Sequence, residues 1–233
     1  MSPEQTDPFA EGKLLLINKP AGWTSFDVVR KIRGIIKIRK VGHAGTLDPL
    51  ATGLLIVCTG KFTRKINEYM AKEKEYTGSF TLGATTPTYD LESEPENFKE
   101  YQYLNEPDIV RATERFVGTI AQVPPAHSAI KKDGRPVYEK ARKGIEVVLE
   151  PRTIHIKEFT ITAIELPKIY FKVVCSTGTY IRSLANDFGI ALGCGAYLSG
   201  LCRTRIGEFK LDDALEIKDF QKTADLMRQG GNS

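Results

Sequence analysis

At 233 residues and 41% hydrophobic content, the chain suits one large globular domain, with room for a substantial insertion. Its net charge of +4 says little about partners, but no apolar run approaches the roughly 20 residues that cross a bilayer. The polar, acidic start MSPEQTDPFAEG lacks the basic and apolar stretches of a signal peptide, so a cytoplasmic protein with no membrane role is expected.

In chain order, Leu14 to Asn18 reads as a short buried strand, followed by the turn-forming KPAGW. An amphipathic helix is predicted from about Ser25 to Lys37, capped by Thr24 with Asp27 three residues on, as in a capping box. Spacing near 3.6 puts Val28, Ile32, Ile35 and Ile36 on its buried face and leaves Arg30, Lys31, Arg33 and Lys37 outward. The stretch Arg30 to Lys40 carries six positive charges and no acid, whereas Asp90 to Asp108 is acid-rich.

After a glycine-rich loop, Gly42 to Gly53, come a strand over Leu54 to Cys58, a short helix over about Thr63 to Met70 and a strand from about Tyr76 to Leu82. Asn105 with Pro107 opens another helix through Phe116, and Pro124-Pro125 ends the segment GTIAQV. Residues 125–152 lack clean periodicity and form a basic excursion, with six Lys or Arg between Lys131 and Lys143 against Asp133 and Glu139. Thr153 to Ile164 and Ile169 to Cys175 read as strands, Tyr180 to Leu192 as a helix stopped by Gly193, and Tyr197 to Phe209 as extended chain. Strands and helices mix without regular βαβ alternation, so the expected class is α+β.

Cys58, Cys175, Cys194 and Cys202 form no C-x-x-C pair and lie far from His43, His127 and His155, so no metal site is expected and the thiols read as small buried hydrophobes. In GHAGTLDPLATG, three glycines favour unusual backbone angles and close ligand approach, while Pro49 stiffens the chain after Asp48. From the D-P dipeptide alone, a plain turn start is the commoner reading. The string matches neither phosphate-cradling glycine pattern.

Taken whole, the string resembles the catalytic loop G-H-x-G-x-L-D-P-x-A-x-G of the tRNA pseudouridine-55 synthase (TruB) family. NKPAGWTSFDVV, KEYTGSFTLGATTPTYD, QVPPAHSAIKKDGRPVYEKARKG, CSTGTYIRSLANDFG and GCGAYLSGLCRTRIG are similar to its other motifs, in family order across most of residues 14 to 209. The resemblance implies a pseudouridine synthase fold: a mixed, mostly antiparallel sheet flanked by helices in one catalytic domain. It implies Asp48 as the catalytic carboxylate, and His43, Tyr76, Tyr180 and Leu201 as contacts to the target nucleotide. Arg182 would pair with Asp48, and Asp90 would be a further active-site carboxylate. Residues 125–152 would form a thumb-like insertion, mobile without RNA, that grips the substrate through Lys131, Lys132, Lys140 and Arg142. A monomer acting on the T-stem-loop of tRNA is expected.

Two departures stand out. About two dozen residues follow Phe209, too few for the C-terminal PUA module common in the family, so that module is not expected. His127 also stands where the family often has tyrosine or phenylalanine.

The residue types suit the implied reaction. Uridine isomerisation breaks the N1–C1′ bond, turns the uracil and joins C5 to C1′, with no redox change and no group donor, so no cofactor is expected. A glycosidase needs a second carboxyl to protonate its leaving oxygen, whereas uracil leaves as a delocalised anion. One carboxylate suffices, kept ionised by a nearby guanidinium. Tyr76 offers a ring to stack on the turned-out base. A noncatalytic RNA chaperone on the same scaffold would need the basic patches without this centre. A nucleoside hydrolase would release the base and has no need of the patches.

Overall fold

The computed structural model describes residues 7–125, 131–132, 135–136 and 149–229. They group into two compact units, Met1–Tyr76 with Cys202–Ser233, and Thr77–Leu201. Strands and helices are mixed in both, as the α+β expectation required.

The first unit opens with α1 (Pro8–Glu11) and β1 (Leu14–Lys19), followed by α2 (Ser25–Ile36), β2 (Val41–His43) and β3 (Thr52–Thr59). A 3-10 turn, Gly60–Lys65, then leads into α3 (Ile66–Ala71). The capping box of α2 is present in full, with Thr24 Oγ1 accepting from the Asp27 amide and Asp27 accepting from the Thr24 amide. Lys37 ends the helix in the left-handed conformation (φ 61°). Val28, Ile32 and Ile36 are fully buried, joined by Val29. Ile35 is only half-buried, and Arg33 turns inward to donate to the Val41 carbonyl at 2.6 Å, so the expected faces shift at these two positions.

β3 is apolar on both faces. Leu55 and Val57 pack with α2, β1, Phe220 and Ala224, while Leu54, Ile56 and Cys58 pack with Ala44 and Ile206. Burying each such side chain contributes roughly 1.5–3 kcal/mol, which fixes β3 as the central strand. β1 pairs antiparallel with it, and β2 adds a short antiparallel rung.

The second unit carries β5 (Gly118–Gln122), β8 (Arg152–Glu165) and β9 (Lys168–Cys175), antiparallel in that order, with α4 (Glu106–Thr113) and α5 (Ile181–Leu192). Gly193 stops α5 at φ 81°, as its sequence signalled. Its core is aromatic: Phe80 stacks on Phe171 at 4.2 Å, and Phe116, Phe159 and Phe188 close round them edge-on or tilted.

β4 (Lys74–Leu82) and β10 (Ala196–Ile206) each run from one unit into the other. Within the first unit, the end of β10 pairs parallel with β3. The chain then adds β11 (Phe209–Lys210), β12 (Leu215–Glu216) and α6 (Phe220–Gln229), with β12 parallel to β1. Short elements β6 (Lys131–Lys132) and β7 (Arg135–Pro136) pair as a hairpin rung. No helix among the described residues is long and apolar enough to cross a membrane.

Candidate active site

Asp48 sits half-buried in the turn between β2 and β3, where the Ala51 amide donates to its carbonyl at 3.1 Å. The loop is held from three sides. Ser25 Oγ accepts from the Leu47 amide at 2.9 Å and lies 3.2 Å from its carbonyl, tying the loop to the first turn of α2. Lys19, fully buried, donates from Nζ to the carbonyls of Pro20, Trp23 and Pro49 at 2.9, 2.6 and 3.2 Å. An ammonium has three N–H donors, so the three carbonyls account for all of them. Arg203, 1% exposed, donates from Nε to Leu54 O at 2.8 Å and from Nη2 to Gly45 O at 3.0 Å.

Gly53 explains how both cations reach the loop. It lies in register between Lys19 on β1 and Arg203 on β10. Its φ is +102°, and a Cβ there would sit 2.4 Å from the Arg203 carbonyl oxygen. Gly45 also takes a positive φ, 99°. Gly42 does not: it lies in β2, and the one atom near its missing side chain is the tip of Ile66.

Burial lowers Lys19 from its ordinary 10.5 to about 8, with Asp48 pulling the other way and Arg203 adding to the fall. Asp48 therefore lies within the field of a buried cation in its own unit, which favours its ionised form. Deprotonating Lys19 removes that charge and one of three donors. We expect turnover to fall as pH rises through about 8 while KM stays level, and a flat rate profile to pH 9.5 would contradict it. The alkaline loss is catalytic and not unfolding by this group. Because the folded value lies below the unfolded one, the unfolded chain binds more protons between about 8 and 10.5, so Lys19 itself favours folding more as pH rises there.

His43, half-buried at the end of β2, is pushed below its ordinary value by burial and by Arg203, so it is neutral at pH 7. The Gly45 backbone opposes this, although Nδ1 is buried and reaches no hydrogen-bond partner among the described residues. Tyr76, 8% exposed, lies on β4 at the end of this unit.

In the second unit the structure brings together Arg182, Asp90 and Tyr180. Arg182, on the first turn of α5 and 4% exposed, lies 3.6 Å from Asp90 Oδ2 and donates to Thr88 O at 3.3 Å. A buried pair of this kind fixes geometry more than it adds stability. Asp90 Oδ1 accepts the Glu92 amide at 2.9 Å, and Tyr89 before it holds the left-handed conformation (φ 63°). Tyr180 is the N-cap of α5, and Gln122 grips its backbone from both sides, accepting from its amide at 2.8 Å and donating to its carbonyl at 3.1 Å. Leu201, on β10, is half-buried.

The expected Arg182–Asp48 pairing joins residues of different units. The backbone of Lys131 and Lys132 lies in β6, whereas Lys140, Arg142, His127 and the expected mobility of the insertion fall outside the described residues. Cys58, Cys175 and Cys194 are buried free thiols and Cys202 is half-buried; burial pushes Cys58 up to about 11, which makes it a poor nucleophile. Sequence reasoning missed Lys19, Arg203 and Gln122 as supports. All three lie in the family-like strings, but only the carbonyls they meet mark them.

Comparison with known proteins bears on this geometry. The family model for the N-terminal domain of TruB family pseudouridylate synthases matches residues 33–181, and the model for the tRNA pseudouridylate synthase B C-terminal domain matches residues 182–233. A tRNA pseudouridine synthase B of Flavobacterium johnsoniae is 50% identical over 230 residues, covering 96% of this chain and 99% of the relative. One from Phocaeicola vulgatus is 48% identical over 224 residues, covering 93% and 95%. Among solved structures, a Cbf5-Nop10-Gar1 complex aligns with TM-score 0.75 and 29% identity over all of this chain, which spans 63% of that one. An H/ACA RNP bound to a substrate RNA containing 2′-deoxyuridine aligns with TM-score 0.70 and 28% identity, covering 100% of this chain and 62% of that one.

Proposed function

This chain belongs to the TruB family of pseudouridylate synthases, and on that premise we propose that it isomerises uridine 55 in the T-stem-loop of tRNA with Asp48 as its catalytic carboxylate. The observation that carries this reading is the cradle of Asp48: a half-buried carboxylate in a loop fixed by Ser25, Lys19 and Arg203, beside a buried ammonium whose charge favours its ionised form. Asp48 acts at the ribose as the N1–C1′ bond breaks, uracil turns while held in the pocket, and C5 joins C1′. The C5 proton leaves to solvent and N1, freed from C1′, takes one up, so atoms and charge balance and the sum is an isomerisation.

Tyr76 stacks on the extruded base, Tyr180 and Leu201 line the pocket, and neutral His43 contacts the neighbouring base. Arg182, held by Asp90, completes the charge balance at Asp48. Extruding a base costs a few kcal/mol, offset by phosphate contacts from α2 and from the basic segment 125–152. The protein works as a monomer without a cofactor.

C5-tritiated uridine in a T-stem-loop RNA tests this. Tritium should appear in water with the uracil ring still in the RNA; free uracil would favour a nucleoside hydrolase, and bound but unreacted RNA a chaperone. Charge reversal at Lys131, Lys132, Lys140 and Arg142 should weaken RNA binding and lower the slope of log K against log salt by about one for each phosphate no longer neutralised. Unchanged affinity would remove the insertion from the RNA interface.

A further inference from the structure

Beside the Asp48 loop, the first unit has a groove of about 690 Å³ between α2 and the start of α6. Its walls are Trp23, Asp27, Arg30, Lys31, Ile35 and Gln221, over a floor of Gly22 and Gly34. A Cβ built on Gly34 would meet nothing within 4 Å, so there is room for a side chain there. Trp23 and Ile35 are half-buried, each resting on the core cluster of α2 and β1 with part of its surface left to the groove. Such a tryptophan is anchored from below and has area to spare.

The charge of the groove is polarised. Arg30 and Lys31 are exposed, and Lys31 has no ion-pair partner among the described residues. The single acid, Asp27, is taken up by the Thr24 amide and hydroxyl and by Arg30 at 2.9, 2.6 and 2.6 Å. An aromatic face next to a cation pair is the chemistry that holds one nucleotide, with a base stacked and a phosphate neutralised.

The groove is also joined to the catalytic loop. Lys19 Nζ binds the carbonyl of Trp23 and that of Pro49, the residue after Asp48, and the Gly22 amide donates to the Pro49 carbonyl at 2.8 Å. A strand in the groove therefore lies on the same hydrogen-bonded frame that positions Asp48.

Building on the reading of the chain as an RNA pseudouridylate synthase, we propose that this groove holds a nucleotide of the RNA strand flanking the target uridine, its base on Trp23 and its phosphate on Arg30 and Lys31. Arg30 and Lys31 act together as a clamp on the phosphodiester. Occupancy tightens the frame round Pro49, so the flanking nucleotide helps register the uridine at Asp48.

Trp23 is the one tryptophan of the chain, which makes the site its own reporter. The Asp48→Asn chain would be titrated with T-stem-loop RNA, following tryptophan emission and, in parallel, the anisotropy of labelled RNA. Emission should be quenched with the same midpoint as the anisotropy change. The double variant Arg30→Glu/Lys31→Glu should weaken binding about tenfold and lower the salt slope by about one, for the one phosphate no longer neutralised. Gly34→Leu, which keeps every charge and suits a helix, should weaken binding by closing the groove. Binding with unchanged emission, or Gly34→Leu binding as tightly as the parent, would overturn the groove while leaving the function intact. Equal quenching by uridine monophosphate would overturn it in favour of a mononucleotide site. Failure of any RNA to bind would reject the functional reading and this site with it.

Discussion

Replacing Asp48 with asparagine should reduce single-turnover tritium release by about 10⁴-fold or more while leaving affinity for T-stem-loop RNA within about threefold. The two side chains have the same shape, and the cradle of Asp48 is made to its neighbours' backbone: Leu47 on Ser25, Pro49 on Lys19 and Gly22, Gly45 on Arg203. The asparagine chain should therefore keep the loop and lose only the charge that acts at the ribose. Binding and catalysis should separate cleanly in this variant. If both fell together, Asp48 would hold RNA or the loop and would not act on the sugar.

The second large effect belongs to Arg203→Met. The arginine is 1% exposed, and its guanidinium satisfies the carbonyls of Leu54 and Gly45. Methionine fills much of the volume and leaves both acceptors without that donor, at about 1–3 kcal/mol each. We expect a loss of about 3 kcal/mol or more in unfolding free energy, read from the denaturant midpoint at constant slope. Turnover of the folded fraction should fall too, because Gly45 anchors the loop three residues before Asp48 and the positive charge near His43 is gone. An unchanged midpoint would mean the carbonyls find other donors and the arginine is not structural. Lys19 and Arg203 meet Gly53 from opposite strands, so the two cations form one support for the loop and their substitutions should not be additive.

Legibility in the sequence followed the range of the interactions. α2 was readable because Thr24, Asp27 and the apolar spacing lie within one helix, and α5 because Gly193 ends it. α6 was missed: it is short and polar, and Phe220, Ala224 and Met227 show their purpose only against Phe9, Val29 and Ile36 in the core of the first unit. β2, β11 and β12 have two or three residues each, too few for a period to register. A lysine or arginine in a sequence reads as solvated surface, and the burial of Lys19 and Arg203 follows from carbonyls supplied by residues up to 158 positions away. Gln122 grips Tyr180 across 58 positions, equally beyond any local pattern. The string around Asp48 was legible as a family motif, whereas the means of holding it in place required the fold.

The central claim, that Asp48 isomerises one uridine of the T-stem-loop, is tested most directly by mapping pseudouridine at nucleotide resolution on a whole unmodified tRNA after incubation with the native chain and with Asp48→Asn at equal RNA occupancy. One new pseudouridine, at position 55, is expected with the native chain and none with Asp48→Asn. Pseudouridine at a different position, or its formation at 55 by the asparagine variant, would contradict it.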